Sequence, residues 1–475
     1  MVTTASPNPA ALRAQRRSLL WRIHFWAALI ATPFGLLAAI TGILYIFTPQ
    51  IEGVLYSHLD QVRPGVNALP LDDSVDAALK AAPTGWTLHS VVPAFTGTDS
   101  VRVAYVPPPV AKKDAAGKEE VSGGHNHGGG ASTATPKAAE AGGMAKPPAF
   151  LRPNFGLPNN SMVFYVNPYT AEVLGSMVQG ERFVNWSRKL HSSYLQSDGW
   201  RWMIELAASW MMVMLITGVY LWWPHGQQTA LPKRGTSGRM AWKQWHSFLG
   251  VVLSVMSIVI LTTGLTWSKY AGDQVRLARD LTNQGSPRIP AHIKSTVPAT
   301  GAPLSWQSAL EALRREAPEI SMQVMAPKGP DGVWRANQMD KGQPDQRFDL
   351  LLDAYTGQRL YYSGWDKQTA FGKATAIGIP FHRGEFGWWN QALLLVFGMG
   401  VIFSIVSGWQ MYFKRRARGV SGMPTLLPGA WKSTSPYAVL GALVMFLCMP
   451  LLALSAALVG VAELGGWWFQ RRLST

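Results

Sequence analysis

The chain has 475 residues, 48% of them apolar, with 43 Lys and Arg against 27 Asp and Glu for a formal charge of +16. The apolar residues gather into long runs, so membrane spans are counted before domains. The basic residues crowd the ends of those runs rather than an aromatic soluble surface, which excludes a nucleic-acid partner; the one cysteine, Cys448, excludes an intrachain disulfide and a C-x-x-C-H attachment.

Residues 1–20 read as a short cytoplasmic segment containing Arg13, Arg16 and Arg17. From Ile23 to Gln50 there is no Asp, Glu, Lys or Arg, more than the roughly 20 apolar residues that cross a bilayer core and too long for a cleaved leader. Residues 21–48 are therefore expected to form an uncleaved first membrane helix. Residues 49–199 form an external segment. It holds an amphipathic helix from Asp73, alternating runs WTLHSVVP and VRVAYVPP that read as strands, and a tight turn in NPYTAEVLG from Asn167. An insert at 111–146, rich in Ala, Gly, Lys and Pro, cannot bury a core; His125 and His127 within it make only a weak metal site.

The second membrane helix follows at 200–223, a basic loop at 224–241, and a third membrane helix at 242–268. The second external segment, 269–385, repeats the earlier order: a helix from Trp306, strands in ISMQVMAP and QRFDLLLD, and a turn in DAYTGQRLY from Asp353. A fourth membrane helix at 386–413, a basic loop at 414–432, a fifth helix at 433–463 interrupted by Pro450, and a tail at 464–475 complete the chain. Lys233, Arg234, Arg239 and Lys243, with Lys414, Arg415, Arg416 and Arg418, share the side of the N-terminal arginines, which puts both long segments outside. The fold class expected is an α-helical membrane protein: a four-helix core from a two-fold repeat, a fifth helix, and two external α+β domains.

The repeat is explicit in the histidines. WRIHFWAALI and WKQWHSFLGV each open a membrane helix with a histidine, His24 and His246, and Gly42 and Gly264 of two Thr-Gly pairs each follow at an offset of 18 residues. KLHSSYL and PFHRGEF place His191 and His382 before the second and fourth helices, with Thr217-Gly218 and Ser407-Gly408 near the far ends. His24 and His246 then share one depth, and His191 and His382 the other. Two imidazoles facing each other across a helix bundle are an axial ligand set for haem iron, with the glycines giving clearance. Arg22, Arg188, Lys189 and Arg383 lie near these histidines, where cations suit propionates; Arg22 serves equally well as a headgroup anchor. Glu205 is placed to accept a bond from Arg201 or a ligand imidazole, or equally to snorkel outward. His225, beyond Pro224, is a rival for the inner site, whereas His58, His89 and His292 read as ordinary residues of the external segments.

WRIHFWAALI with TGILYIF, LHSSYL with ITGVYLWWP, WKQWHSFLG with TTGLTW, and FHRGEFGWW with VSGWQMYF resemble the PepSY-associated transmembrane family, as do the two turns, over about Trp21 to Arg416. The resemblance implies two non-covalent b-type haems held by His24, His246, His191 and His382, periplasmic PepSY-like domains, and an inner-membrane reductase for a ferric siderophore or other metal species. The fifth helix, the insert and Ser407 depart from the pattern. No Gly-rich dinucleotide fingerprint occurs on a strand-to-helix turn, so electrons must come from a quinol or a separate reductase. The competing reading is a membrane-anchored PepSY binding or peptidase-inhibiting module without redox activity. A transporter would want ionisable groups along its spans, and these interiors hold almost none.

Overall fold

A computed structural model describes residues 9–108, 150–151, 156–223, 231–416 and 422–473. The insert at 111–146 with His125 and His127, and also His225 and Arg418, lie outside the described residues.

The first helix, α1, runs from Pro9 to Ile46. Its outer end continues into α2 (Thr48–Leu55) and α3 (Ser57–Asp60), and α4 (Leu71–Ala81) leads into the sheet strands β1 (Thr87–Val92) and β2 (Val101–Val106). A short β3 (Phe150–Leu151) precedes β4 (Met162–Val166) and β5 (Val173–Val178). Then come α5 (Phe183–Ser193) and the long α6 (Trp202–Trp222). The third apolar run is α7 (Gly238–Val252) and α8 (Ser254–Leu265), bent by 59° at Leu253 rather than forming one straight rod. The segment at 269–385 supplies α9 (Tyr270–Leu281), β6 (Ile289–Pro290), α10 (Trp306–Glu316), β7 (Met322–Met325), β8 (Val333–Gln338), β9 (Asp349–Asp353), β10 (Arg359–Ser363) and α11 (Ala370–Arg383). The chain ends in α12 (Trp388–Arg415), α13 (Pro436–Cys448) and α14 (Pro450–Leu473).

Among the described residues, α1, α6 with its preceding turn, α12 and α14 are each long and apolar enough to cross a membrane, and bent α7–α8 makes a fifth if counted as one span. Helix α1 packs along α6 and α12, while α7–α8 packs along the same two. The four segments thus form a ring with α1 diagonal to α7–α8. Their mean hydropathy, not a buried stripe, makes them helices: lipid leaves the backbone no partner except itself.

The fifth apolar run departs from the single helix expected at 433–463. Pro450 lacks an N–H and starts a new helix, so the run folds as a hairpin turning at Met449. Before α13, the Ser433 carbonyl accepts from Arg16 Nε at 2.6 Å. Well along α14, Glu463 pairs with Arg22 at 2.6 Å and accepts from Trp26 Nε1. Both ends of the hairpin therefore lie against the N-terminal half of α1. Its turn sits at the other level, where Met449 and Leu452 join Ala271 and Leu265 in one apolar cluster.

The two long segments, 49–199 and 269–385, do not form separate domains. They contribute four strands each to one antiparallel sheet of order β10-β9-β8-β7-β1-β2-β4-β5, joined where Val91 meets Val324. Alternation sends Val103, Tyr105, Val324, Leu350 and Leu352 to one face, covered by α4 and α10. The two helices cap each other. Asp72 accepts from the Trp306 and Gln307 amides at 2.9 Å, and Gln307 Oε1 accepts from Leu71 N at 3.0 Å. The expected turns join β4 to β5 and β9 to β10. Asn167 and Asp353 accept from the amides two residues on at 2.9 Å, and the positive φ falls on Ala171 and Gly357.

Arg182 ties the sheet to the bundle. Its guanidinium holds Glu52 at 3.0 Å and Asp60 at 2.7 Å and donates to Tyr165 OH at 2.8 Å, all of it largely buried. Arg182→Ala would leave two carboxylates facing each other without a cation, a loss of about 3–5 kcal/mol. Thermal unfolding of the purified protein should show that loss, with Arg182→Lys intermediate because an ammonium cannot fork between both partners.

Candidate metal centre

The small pairs seen in the sequence turn out to be seats for the histidines. His24 reaches from α1 to α6, where Thr217 Oγ1 lies 3.0 Å from its Nδ1. His191 on α5 reaches back to α1, with Nδ1 3.0 Å from Thr41 Oγ1. His382 on α11 meets Thr263 Oγ1 of α8 at 2.9 Å. His246 on α7 meets both Ser407 Oγ and the Ser404 carbonyl of α12 at 3.0 Å.

These contacts decide which ring nitrogen carries the proton. A carbonyl only accepts, so His246 Nδ1 must be protonated. The three threonine hydroxyls give their own hydrogens to backbone carbonyls one turn back, at 2.7 Å for Thr217 and Thr41 and 2.8 Å for Thr263. Their oxygens are then acceptors for Nδ1–H. In all four rings Nε2 keeps its lone pair, the state a metal ligand needs.

The glycine after each hydroxyl residue lets the ring lie against the helix. A methyl group on Gly218 would stand 3.2 Å from His24 Cε1, on Gly42 3.3 Å from His191, on Gly264 3.4 Å from His382, and on Gly408 3.6 Å from His246. Reading the glycines as clearance misses the hydroxyls beside them, for which Thr or Ser at each matched offset is the available signal.

The ring of helices brings the four histidines together in the two expected pairs. The His24 and His246 rings have centroids 6.5 Å apart and stand at 89°. Two imidazoles each bonded at about 2 Å to one metal place their ring centres roughly 6 Å apart, so this pair fits a shared ion. His191 and His382 line a cavity of about 270 Å³ whose walls are mainly apolar. Each pair supplies two donors and nothing nearby adds to them: no group of three or more His, Cys, Asp or Glu stands together among the described residues. A bare ion wants about four to six ligands. A metal carried in a planar four-nitrogen ring lacks only the two axial ones.

The polar neighbours divide differently from expectation. Arg188 and Arg383 line the outer cavity, joined by Arg201. Arg383 Nε donates to Tyr45 OH at 3.0 Å and its Nη2 pairs with Glu385 at 2.7 Å. Arg22, beside His24, pairs with Glu463 and donates to the Pro424 carbonyl. Glu205 bonds no imidazole and holds no side chain of Arg201. Buried at 1% exposure, it accepts from the Tyr270 and Ala271 amides at 2.9 and 2.8 Å and so caps α9.

One further cation comes from the sheet. Lys341, on the loop after β8, lies in the field of Arg383, Arg347 and Arg188, with Glu385 as the nearby carboxylate; burial and then Arg383 push its ammonium down to about 8. The loop is seated by Gly342, where a side chain would strike the Glu385 carbonyl.

A family model described as PepSY-associated TM region matches residues 21–415. That stretch contains all four seated histidines and leaves out α13 and α14. No curated protein matches the chain.

Proposed function

The chain belongs to the PepSY-associated transmembrane family, and from that premise we propose that this multi-pass membrane protein carries electrons through two non-covalent b-type haems to an acceptor outside. His24 and His246 hold one haem, and His191 and His382 the other. The reading rests chiefly on the four Nδ1 contacts, which leave every Nε2 free and aimed away from its seat. Bound haem supplies the one-electron chemistry. The chain would supply the rest: two imidazole nitrogens per site, a fixed orientation of each imidazole, apolar walls that exclude water, and cations at the outer rim.

The two halves of the chain serve as copies of one unit, each seating one inner and one outer histidine, and the joined sheet is the PepSY-like part. In a bacterial inner membrane that sheet is periplasmic. The acceptor is a ferric siderophore or another iron chelate, and the donor is a quinol or a separate reductase, because no nucleotide-binding fingerprint is present.

Full-length protein purified from haem-replete cells should show low-spin b-type bands that sharpen with dithionite, at two haems per chain, and should lose them again when ferric citrate is added. A colourless protein would return the chain to the binding-module class.

A further inference from the structure

We propose that Lys341, together with Arg188 and Arg383, forms an oxyanion site at the outer mouth of the cavity, through which the sheet takes part in the electron-transfer centre. The inference rests on the haem reading, and it concerns a residue outside the membrane-spanning bundle. Arg383 and Arg188 line the cavity itself, and the loop carrying Lys341 sits against the turn after His382, where a side chain on the adjacent Gly342 would strike the Glu385 carbonyl, which puts Lys341 in the field of both arginines and of Arg347. The carboxylates within reach do not balance these charges. Glu385 is taken up by Arg383 at 2.7 Å, Asp198 is shared between Arg188 and Arg201, Asp349 lies beside Arg335 and Arg347, and Glu205 is spent on two backbone amides.

Holding several cations together at partial burial is costly, and burial already weakens the Lys341 ammonium. Such an arrangement is relieved by an anion that accepts from more than one of them. Local contacts also fix the loop that carries Lys341. Gly342 N donates to Asp340 at 2.8 Å, Gln338 Nε2 donates to the Gln343 carbonyl at 2.6 Å, and the loop rests on the turn that follows His382. The ligand chemistry is a carboxylate. It comes either from a haem propionate or from an anionic iron chelate arriving from outside, and the two sources are separable.

The test compares full-length wild type with Lys341→Gln and Lys341→Arg, using Lys294→Gln as a control for loss of a lysine elsewhere in the same segment. Two quantities are read on the purified protein: the midpoint potential of each haem by spectroelectrochemistry, and the affinity for gallium citrate, a redox-silent chelate, by calorimetry. If the site holds a propionate, Lys341→Gln lowers the potential of one haem, equivalent to at least a threefold change in its reduction equilibrium. The arginine variant then restores it. If the site holds the acceptor, potentials stay put and the Kd for gallium citrate rises at least fivefold, again rescued by arginine. An unchanged potential with unchanged Kd overturns the proposal, as does an equal effect from Lys294→Gln. Absence of haem would refute the functional reading, while the calorimetric arm would still decide whether Lys341 binds an anion.

Discussion

His382→Ala is expected to cut the haem content from two per chain to one and to abolish reduction of an external iron chelate. The variant removes one axial nitrogen from the outer pair and leaves His191 alone in the cavity that both rings line. Loss of a group that merely orients a metal-bound imidazole costs about 10–100-fold in metal affinity; losing the imidazole costs more. The inner pair, at the other end of the bundle, keeps its contacts to Thr217, Ser404 and Ser407, so half of the b-type absorbance remains. His24→Ala gives the mirror result, sparing the outer haem. Alanine suits a helix as well as histidine does, so circular dichroism should report an intact fold in both. Two haems per chain in His382→Ala would remove that residue from the ligand set.

Substituting the glycine seats is expected to expel haem without touching a ligand. The effect should follow the clearances: Gly218→Ala and Gly42→Ala are the most harmful, Gly264→Ala is weaker, and Gly408→Ala is close to neutral, in the order 3.2, 3.3, 3.4 and 3.6 Å. Helix propensity runs the other way, favouring alanine over glycine by about 1 kcal/mol in a helix interior. A fall in haem therefore cannot be put down to a weaker helix. Valine at Gly218 adds two further carbons over the His24 ring and should match His24→Ala in haem loss. Haem per chain and the dithionite-reduced spectrum measure each step. Equal tolerance at Gly218 and Gly408 would show that the rings do not rest where the seats place them.

Much of the bundle was legible because lipid imposes a simple code. Runs without charge mark α1, α6 and α12, and the matched offsets pick out the four histidines and the four small pairs but not which seats which: the 18-residue offset joins His24 to Gly42 and His246 to Gly264, whereas Gly42 seats His191 and Gly264 seats His382. The sheet was legible only in part. Alternation in VRVAYVPP or QRFDLLLD identifies a strand and its inner face, yet says nothing about its neighbour, and the Val91–Val324 junction links residues of two segments separated by two membrane helices. The bend at Leu253 has no proline to announce it. It is accommodated by Gly400 of α12, whose missing side chain makes room for Leu253, a property of another helix. Lys341 carried no signal at all, because its neighbours Arg188 and Arg383 are distant in sequence and meet it only when the sheet docks. Pro450 was visible, but a proline in an apolar run reads as a kink until the contacts of Arg16 and Arg22 show that the chain turns back.

That reversal has an electrical consequence. A single crossing would instead carry Arg472, just past the tryptophan pair of α14, to the opposite side of the bilayer from the N-terminal arginines. Each charge moved across is worth about 2.3 kcal/mol per 100 mV. By returning, the hairpin brings α14 back to the level of Arg16 and Arg22, so the charge of Arg472 stays on the side of the N-terminal arginines.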